Sequence, residues 1–512
     1  MPHYPDAGSL AGQSDYSPGA GSVSSGQRAS ASRGLWQRAL RVFVGYGGGA
    51  LLLSDCALIG PDYRAPEMTV PGAWHAAHQE GTLDKASLAQ WWKQFDSALL
   101  DGLISDALEA NTDISIAQAK LREARARRDM VRGASGPTIT ASGSAGREKT
   151  SAETGSGSTS NLYRVGFDAS WEADVFGANR RNVEASEADL HTSTENFRDV
   201  RVSLIAEVAS NFVELRTTER RLAIAEANLA SQKETYELVH WRLMAGLVSE
   251  LDEVRARADL ESSRAALHSL RSAMAESRHR LAILLGRSPG ELDDRLAPAG
   301  EIPVATEKMA AGIPADTLRQ RPDVRKAERE LAAQTARLGA AEAARYPSLS
   351  LSGTLGLESM SAGKLLDGGA MTRSVLASLT APIFDAGYLR ANVRVQDALV
   401  EQYRLRYRAA VLSALEEVEN ALVSVADTGR RQKDLARAVG SAGEALAMAK
   451  NRYAAGLIDF EAVLTSQRTL INLEDQLASS AGSHSLAQIS LFKALGGGWT
   501  AIAENTEGKD KS

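Results

Sequence analysis

Cysteine is nearly absent from this chain: 512 residues contain one thiol, Cys56. A single cysteine excludes an internal disulfide, a CxxC redox pair and a thiolate zinc site. Aromatic residues make up 5%, thin for the core of an ordinary enzyme. There is no basic excess. Lys and Arg number 58 against 64 Asp and Glu, a net charge of -6, so no nucleic-acid partner is expected. The eight histidines are scattered and form no HExxH. Past residue 60, no apolar run reaches the ~18 residues of a membrane helix. Without a P-loop, a nucleophile triad or a metal-ligand cluster, neither an enzyme nor a cofactor is expected. What the chain does have is length and an apolar content of 44%, enough for a large core.

The front of the chain reads as a targeting segment. Residues 1–34 are rich in Gly, Ser and Ala. Arg33, Arg38 and Arg41 then lead into the apolar stretch Val42 to Leu53, the order of a secretory signal. The run Gly47-Gly48-Gly49 argues against a buried helix there. A start site assigned too early would account for the long front. Cys56 closes the run, and Leu53-Ser54-Asp55-Cys56 resembles a bacterial lipobox, with Asp55 where Gly, Ala or Ser is usual. Against an inert lone thiol, the expectation is a signal over 1–55 and a lipidated Cys56. Residues 56–98 then form a lipid-anchored extension.

The body of the chain repeats at an offset of 210 residues. Asn111-Thr112-Asp113-Ile114 answers Arg321-Pro322-Asp323-Val324, and Pro137 answers Pro347. Arg242 to Leu247 answers Arg452 to Leu457, and Leu260, Leu267 and Leu281 answer Leu470, Leu477 and Leu491. One offset held across separate segments means two copies of one unit, at 99–285 and 315–496. The linker 286–314 carries Pro289, Pro298, Pro303 and Pro314, and 497–512 is a tail.

Each unit reads helix, strand, strand, long helix, turn, helix. The spacing predicts helices over 99–133 and 315–345, long helices over 180–243 and 389–453, and returning helices over 250–285 and 461–495. Leu260, Leu267, Met274 and Leu281 recur every seven residues, as do Leu470, Leu477, His484 and Leu491, which is a coiled-coil seam. His484 in that stripe reads as a packed or water-facing seam residue. The first long helix would span ~96 Å, and two shorter helices stacked end to end would match it. The expectation is a rod.

Four segments alternate as strands, at about 137–147, 162–175, 347–357 and 373–384. Tyr163, Val165, Phe167, Ala169 and Trp171 share one face, while Arg164, Asp168 and Glu172 share the other. Strands of ~10 residues with one apolar and one polar face suit an outer-membrane barrel. A soluble sheet covering a core on one side is the alternative. Carboxylates on the polar face, a Gly/Ser/Thr-rich hairpin tip at 147–162, and Trp171 and Phe176 near one end favour the membrane. Four strands do not close a barrel, and lipid does not tolerate an open edge. The strands must therefore be pooled in an oligomer, and the pattern alone does not choose between two, three or four copies.

Several motifs, in order, resemble the TolC/OprM family of outer-membrane efflux factors, most closely its lipoprotein, NodT-like branch. They are Gly60-Pro61-Asp62-Tyr63-Arg64-Ala65-Pro66, Trp91-Trp92-Lys93-Gln94-Phe95, and Arg321-Pro322-Asp323-Val324-Arg325-Lys326-Ala327-Glu328. Pro382-Ile383-Phe384-Asp385-Ala386-Gly387 and Ala494-Leu495-Gly496-Gly497-Gly498-Trp499 complete the set. The resemblance implies a mostly α fold with a transmembrane β part. A homotrimer would form a twelve-stranded β-barrel and a periplasmic α-helical barrel. It implies an outer-membrane location in a Gram-negative bacterium, with outer-membrane lipid around the barrel. It also implies two protein partners, a periplasmic adaptor and an inner-membrane RND-type pump, for which the chain is a passive exit duct.

By the same resemblance the helical hairpins turn at the periplasmic tip. The turns Gly246-Leu247 and Gly456-Leu457 would meet the adaptor, with Ala245 and Ala455 where the family often has valine. Both glycines also read simply as helix C-caps. Asp252 and Tyr453 match a family hydrogen bond that holds the tunnel shut. Ile458 replaces the arginine of a second link, and Thr465 replaces the family's acidic ring residue. Asp459 and Glu461 are the alternative source of a negative ring, or cap the next helix. Two other readings remain: the outer-membrane component of a type I protein secretion system, and a trimeric coiled-coil surface adhesin. The latter leaves the paired amphipathic strands unexplained. A drug-like small molecule is the expected cargo.

Overall fold

The long helix and the returning helix of the first copy recur 210 residues later with the same ends. The computed structural model describes residues 58–67, 70–75, 88–305 and 314–499; Cys56, the expected signal and the tail past Trp499 lie outside these. The first copy comprises α1 (Ala98–Ala110), α2 (Thr112–Ala134), β1 (Thr138–Lys149), β2 (Thr159–Ala173), α3 (Ala178–Met244) and α4 (Glu250–Leu284). A short α5 (Asp293–Leu296) lies between the copies. The second comprises α6 (Pro314–Gln320), α7 (Pro322–Ala343), β3 (Ser348–Ser359), β4 (Met371–Thr380), α8 (Tyr388–Ala454) and α9 (Phe460–Ala494). Both long helices, α3 and α8, have 67 residues, and both returning helices, α4 and α9, have 35. At ~1.5 Å per residue a long helix spans ~100 Å.

The single helix predicted over 99–133 is instead two, broken at Asn111. Asn111 takes an extended backbone, and its Oδ1 accepts the N–H groups of Asp113 at 2.8 Å and Ile114 at 3.1 Å. This side-chain cap starts a new helix and turns the chain. The helix predicted over 315–345 breaks at the equivalent Arg321, because Pro322 opens α7. Proline has no N–H to give to a preceding turn and suits the first helical position. The last strand also ends earlier than predicted, at Thr380 rather than 384. Pro382 lacks the N–H that a further ladder bond would need.

These breaks create an end-to-end joint. The start of α2 abuts the end of α4, where the Asn111 amide donates to the Leu284 carbonyl at 2.8 Å. In the second copy α7 abuts α9, and the Arg321 guanidinium donates to the Ala494 carbonyl at 3.0 Å. The residues of the two joints are themselves 210 apart. α2 and α4, of 23 and 35 residues, together run along α3, as the end-to-end stacking expected. Gly286 follows α4 at a φ of +66°, and a Cβ there would run into the Ala110 carbonyl. Only glycine permits so close an approach with that backbone.

The main core surrounds the joints. Trp91, Phe95, Leu100, Leu103, Ile205, Val208, Phe212, Leu281, Leu285 and Phe492 are all buried there. Trp91 stacks on Phe492 with ring centroids 5.1 Å apart. Arg321 is buried in this region and also bonds both Asp323 oxygens, at 3.0 and 2.7 Å, and Glu417 at 2.6 Å. Burial lowers the guanidinium's affinity for its proton, but these carboxylates outweigh it and raise its pKa.

The strands form one antiparallel sheet in the order β1-β2-β3-β4, with a free edge on β1 and on β4. Registers run without a bulge from Thr138↔Ser170, through Tyr163↔Ser359, to Ser348↔Thr380.

The two joints differ in what their loss would leave behind. Arg321→Ala leaves the Ala494 carbonyl without its partner, while Asp323 and Glu417, 37% and 54% exposed, turn to water; the change should cost about 1–3 kcal/mol. Asn111→Ala removes a helix cap and leaves the Leu284 carbonyl without its partner, and should cost about 1–3 kcal/mol. Urea unfolding of the purified protein, followed by helical circular dichroism, measures both; a cost near zero for Arg321→Ala would mean that Arg321 does not carry the second joint.

Candidate functional site

Two regions of the chain expose chemistry that a buried core would hide: the sheet and the hairpin tips. On the sheet, register places Ile139, Ala141, Tyr163, Val165, Phe167, Trp171, Leu349, Leu351, Leu355, Leu357, Val375 and Leu379 on one face. Most of these are exposed: Phe167 is 58% accessible and Val375 90%. No element of the described chain covers this face, so the sheet does not roof a soluble core. Every carboxylate of the strands, Glu148, Asp168, Glu172 and Glu358, stands on the opposite face. That face is hydrogen-bonded across strands. Ser142 donates to Asp168 at 2.9 Å, Arg164 meets Glu358 at 2.8 Å, and Thr354 and Ser374 hydroxyls lie 2.7 Å apart. Phe176 stacks on Tyr346 at 5.1 Å where strands pass into helices, and the Trp171 indole N–H donates to the Ser135 carbonyl at 3.1 Å. This gives an aromatic layer at the helix end of the apolar band.

The tips are two helical hairpins, α3–α4 and α8–α9. At each tip the long helix ends in the same cap. Gly246 and Gly456 take φ of +71° and +72°, and Leu247 and Leu457 donate back to the Arg242 and Arg452 carbonyls, each at 2.9 Å. This is the six-residue closure that a left-handed glycine allows. Leu247 and Leu457 project outward, Leu457 being 74% exposed.

The returning helices begin on acidic side chains. Asp252 is engaged in a reciprocal cap with Ser249: its carboxylate accepts the Ser249 N–H at 3.2 Å and hydroxyl at 2.8 Å, and its own N–H donates to that hydroxyl. Asp459 caps α9 by accepting the Ala462 N–H at 3.1 Å. Tyr453 is buried at the second tip. Its ring lies 5.4 Å from Phe460 and under the Arg242 guanidinium at 4.5 Å. Its hydroxyl has no hydrogen-bond partner among the described residues. Within one chain, then, Asp252 and Tyr453 do not bond each other. Glu461 pairs with Arg255 at 2.6 Å.

Several residues at the tips escaped the sequence reading. Arg255–Glu461 and the forked Arg468–Asp259 pair, at 2.7 Å, tie α4 to α9. The Asp259 carboxylate raises the Arg468 pKa through that fork. Arg242 clamps Tyr453 between hairpins. Trp241 and Met244 stand exposed beside the first turn, Trp241 by 69%. The signal for the pairs was present as opposite charges on two parallel helices. It is legible only once α4 and α9 are known to lie side by side.

Comparison with known proteins places this architecture. A family model described as "Outer membrane efflux protein" matches residues 103–287 and 313–497. Nodulation protein T of Rhizobium leguminosarum bv. trifolii is 33% identical over 470 residues, covering 89% of this chain and 97% of that protein. Outer membrane protein OprJ of Pseudomonas aeruginosa is 32% identical, covering 88% and 94%. The solved outer-membrane channel OprN superposes with a TM-score of 0.82 at 35% identity, covering 86% of this chain and all of that one.

Exposed ion pairs contribute up to about 1 kcal/mol each. Arg255→Ala combined with Arg468→Ala should therefore barely shift the melting temperature, yet let the two tips open locally. Chymotrypsin cleavage beside Trp241, Leu247 and Leu457 should become faster. An unchanged cleavage rate would show that these pairs do not hold the hairpins together.

Proposed function

Because the chain belongs to the outer membrane efflux protein family, we propose that three copies pool their sheets into one twelve-stranded barrel, continued by a helical tunnel into the periplasm. The chain is an outer-membrane channel of an efflux system. Its sheet carries this reading: an apolar face with nothing over it, a carboxylate-lined face, and two free edges. In lipid, both edges must be paired. β4 of one copy beside β1 of the next satisfies both at once, and three copies give a lumen wide enough for water. The apolar face then meets lipid and the carboxylate face lines the duct.

The tips are the gate and the docking end of this duct. Asp252 and Asp459 fix where the returning helices start, Tyr453 packs the second tip, and Glu461 ties it to the first. Together they hold the tunnel narrow. Gly246, Leu247, Gly456 and Leu457 form the turns that a periplasmic adaptor grips, and an inner-membrane RND-type pump supplies the energy. The cargo is a class of small molecules selected by that pump, since the duct itself offers a generic wet surface.

Two experiments bear on this reading. Asp252→Ala with Tyr453→Phe removes a helix cap and the hydroxyl buried at the second tip, so single-channel conductance in a planar bilayer should rise. Unchanged conductance would remove both residues from the gate. Cross-linking in intact cells, followed by pull-down on a C-terminal tag, should recover a trimer with a periplasmic adaptor and a proton-driven pump. Leu247→Asp with Leu457→Asp should lose the adaptor and keep the trimer. An ATP-driven transporter in place of the pump would move the cargo to proteins or peptides, and an oligomer with neither partner would overturn the duct.

A further inference from the structure

The apolar face of the sheet carries three charges, and all are positive. Register places Arg147 and Lys149 of β1 on this face, opposite Asn161 and Thr159, and Arg373 of β4 there opposite Leu355. All three are exposed, and none has an ion-pair partner among the described residues. The strand carboxylates, by contrast, all sit on the other face, where Arg164 is already bonded to Glu358. A random scatter of surface charge would not sort by face in this way.

Across the ladder Arg373 lies in the row of Leu355, Phe167 and Ala141, six residues inside Arg147, but counted from each strand's own loop end the three cations fall together. The loop end of the sheet steps along the strands, from the row of Lys149 and Thr159, to Tyr163 and Ser359, to Val165, Leu357 and Met371. This stagger is what tilted barrel strands produce. Measured from each strand's own loop end, Arg147 lies two residues inside Lys149, and Arg373 two residues inside Met371. All three therefore stand at the rim away from the helices. From Tyr163 to Trp171 the apolar face of β2 runs ~27 Å along the strand at ~3.4 Å per residue. At a tilt of about 40° that rises ~21 Å, most of an apolar band ~25 Å tall. Arg147 and Lys149 lie beyond its outer edge. Arg373, two residues from the end of its strand, reaches that edge with its long side chain.

We propose that this basic rim binds the phosphate groups of outer-leaflet lipid. The inference rests on the reading that the apolar face meets lipid and that β4 of one copy lies beside β1 of the next. That pairing brings Arg373 next to Arg147 and Lys149 of the adjoining copy, at strand spacings of ~4.8 Å. Two guanidinium forks and an ammonium converging at headgroup depth suit a phosphate monoester, which arginine grips with two parallel hydrogen bonds. A zwitterionic headgroup offers less net charge to the same cluster. One such site would sit at each joint between copies, where the bound lipid would bridge two chains.

The test uses the full-length oligomer in a neutral detergent, with native mass spectrometry as the readout. The probes are bisphosphorylated lipid A, the same lipid with its phosphates removed, and phosphatidylcholine. The wild-type protein should retain the bisphosphorylated lipid about tenfold more than the other two. Arg147→Gln with Lys149→Gln and Arg373→Gln should lose that preference while conductance stays the same. If the triple variant fails to assemble, Arg373→Gln alone should lower the preference, and Glu148→Gln, on the opposite face of β1, should not. Equal retention of all three probes by the wild type, or a preference surviving the variants, overturns the proposal. A fluorophore on Val375→Cys separates this from the reading beneath it. Quenching by brominated lipid without phosphate selection rejects the rim site alone, and no quenching rejects the lipid-facing assignment itself.

Discussion

The end-to-end joints between helices set the geometry of the whole α-helical part. A 67-residue helix in water needs apolar cover along its length, and no single returning helix of 35 residues supplies it. The solution is to butt a second helix against the first. Each helix end brings unpaired carbonyls or N–H groups into the core, so the joint is tolerable only if a side chain answers them. Asn111 does so in both directions, taking the N–H groups of α2 and giving its amide to the Leu284 carbonyl. In the second copy Pro322 removes one donor, and Arg321 serves the Ala494 carbonyl instead. The two copies reach one geometry by different chemistry. The buried guanidinium takes Asp323 and Glu417 as counter-charges, so the second joint is the more polar.

The junction between helices and sheet is held by a separate set of caps. Asp174 accepts the N–H groups of Asn179 and Arg180, and Asp385 accepts those of Gly387 and Leu389. These bonds hold the Asp385 carboxyl below its usual pKa. Just beyond, Arg181 is buried and grips the N-terminal segment through the Ile59 and Gly60 carbonyls and Asp62. The residues that follow the expected lipid anchor are thereby pinned to the first turn of α3. The segment Ile59 to Asp62, the start of α3 and the end of β2 meet there, near the aromatic layer of Phe176, Tyr346 and Trp171.

Much of this was legible in the sequence, because the repeat carries its own check. The offset of 210 recurs in both ends of α3 and α8 and in both ends of α4 and α9. Strict alternation in β2 and β3 also gave the faces of the sheet, since a residue's face depends only on its parity along the strand. What the chain order hid was breaks and neighbours. Asn111 was read as a marker of the repeat, although the same side chain was a helix start signal that would have split the first helix. Tyr453 and Asp252 were paired by resemblance, whereas within one chain the Asp252 carboxylate is taken by Ser249. The Arg255–Glu461 and Asp259–Arg468 ties join residues more than 200 apart in sequence, and nothing local announces them.

The two hairpin tips share a backbone and have diverged in surface. At equivalent positions, Trp241 answers Asn451, Met244 answers Ala454, and Leu251 answers Glu461. Conversely, Leu243 answers Tyr453, and Glu250 answers the buried Phe460. The first tip thus displays Trp241, Met244 and Leu251 to solvent, while the second exposes Leu457 but tucks Tyr453 and Phe460 into a small core with Val239, Leu446 and Leu464. Exposed apolar side chains at a turn cost solubility unless something covers them, and a buried tyrosine hydroxyl without a partner costs stability. Both costs fall at the same end of the molecule and on opposite copies. Leu247 and Leu457 stand equally exposed on the two turns, whereas Trp241 and Met244 are exposed beside the first alone and the unpartnered Tyr453 hydroxyl lies in the second. The duplication thereby kept one backbone at both tips while the side chains around it diverged.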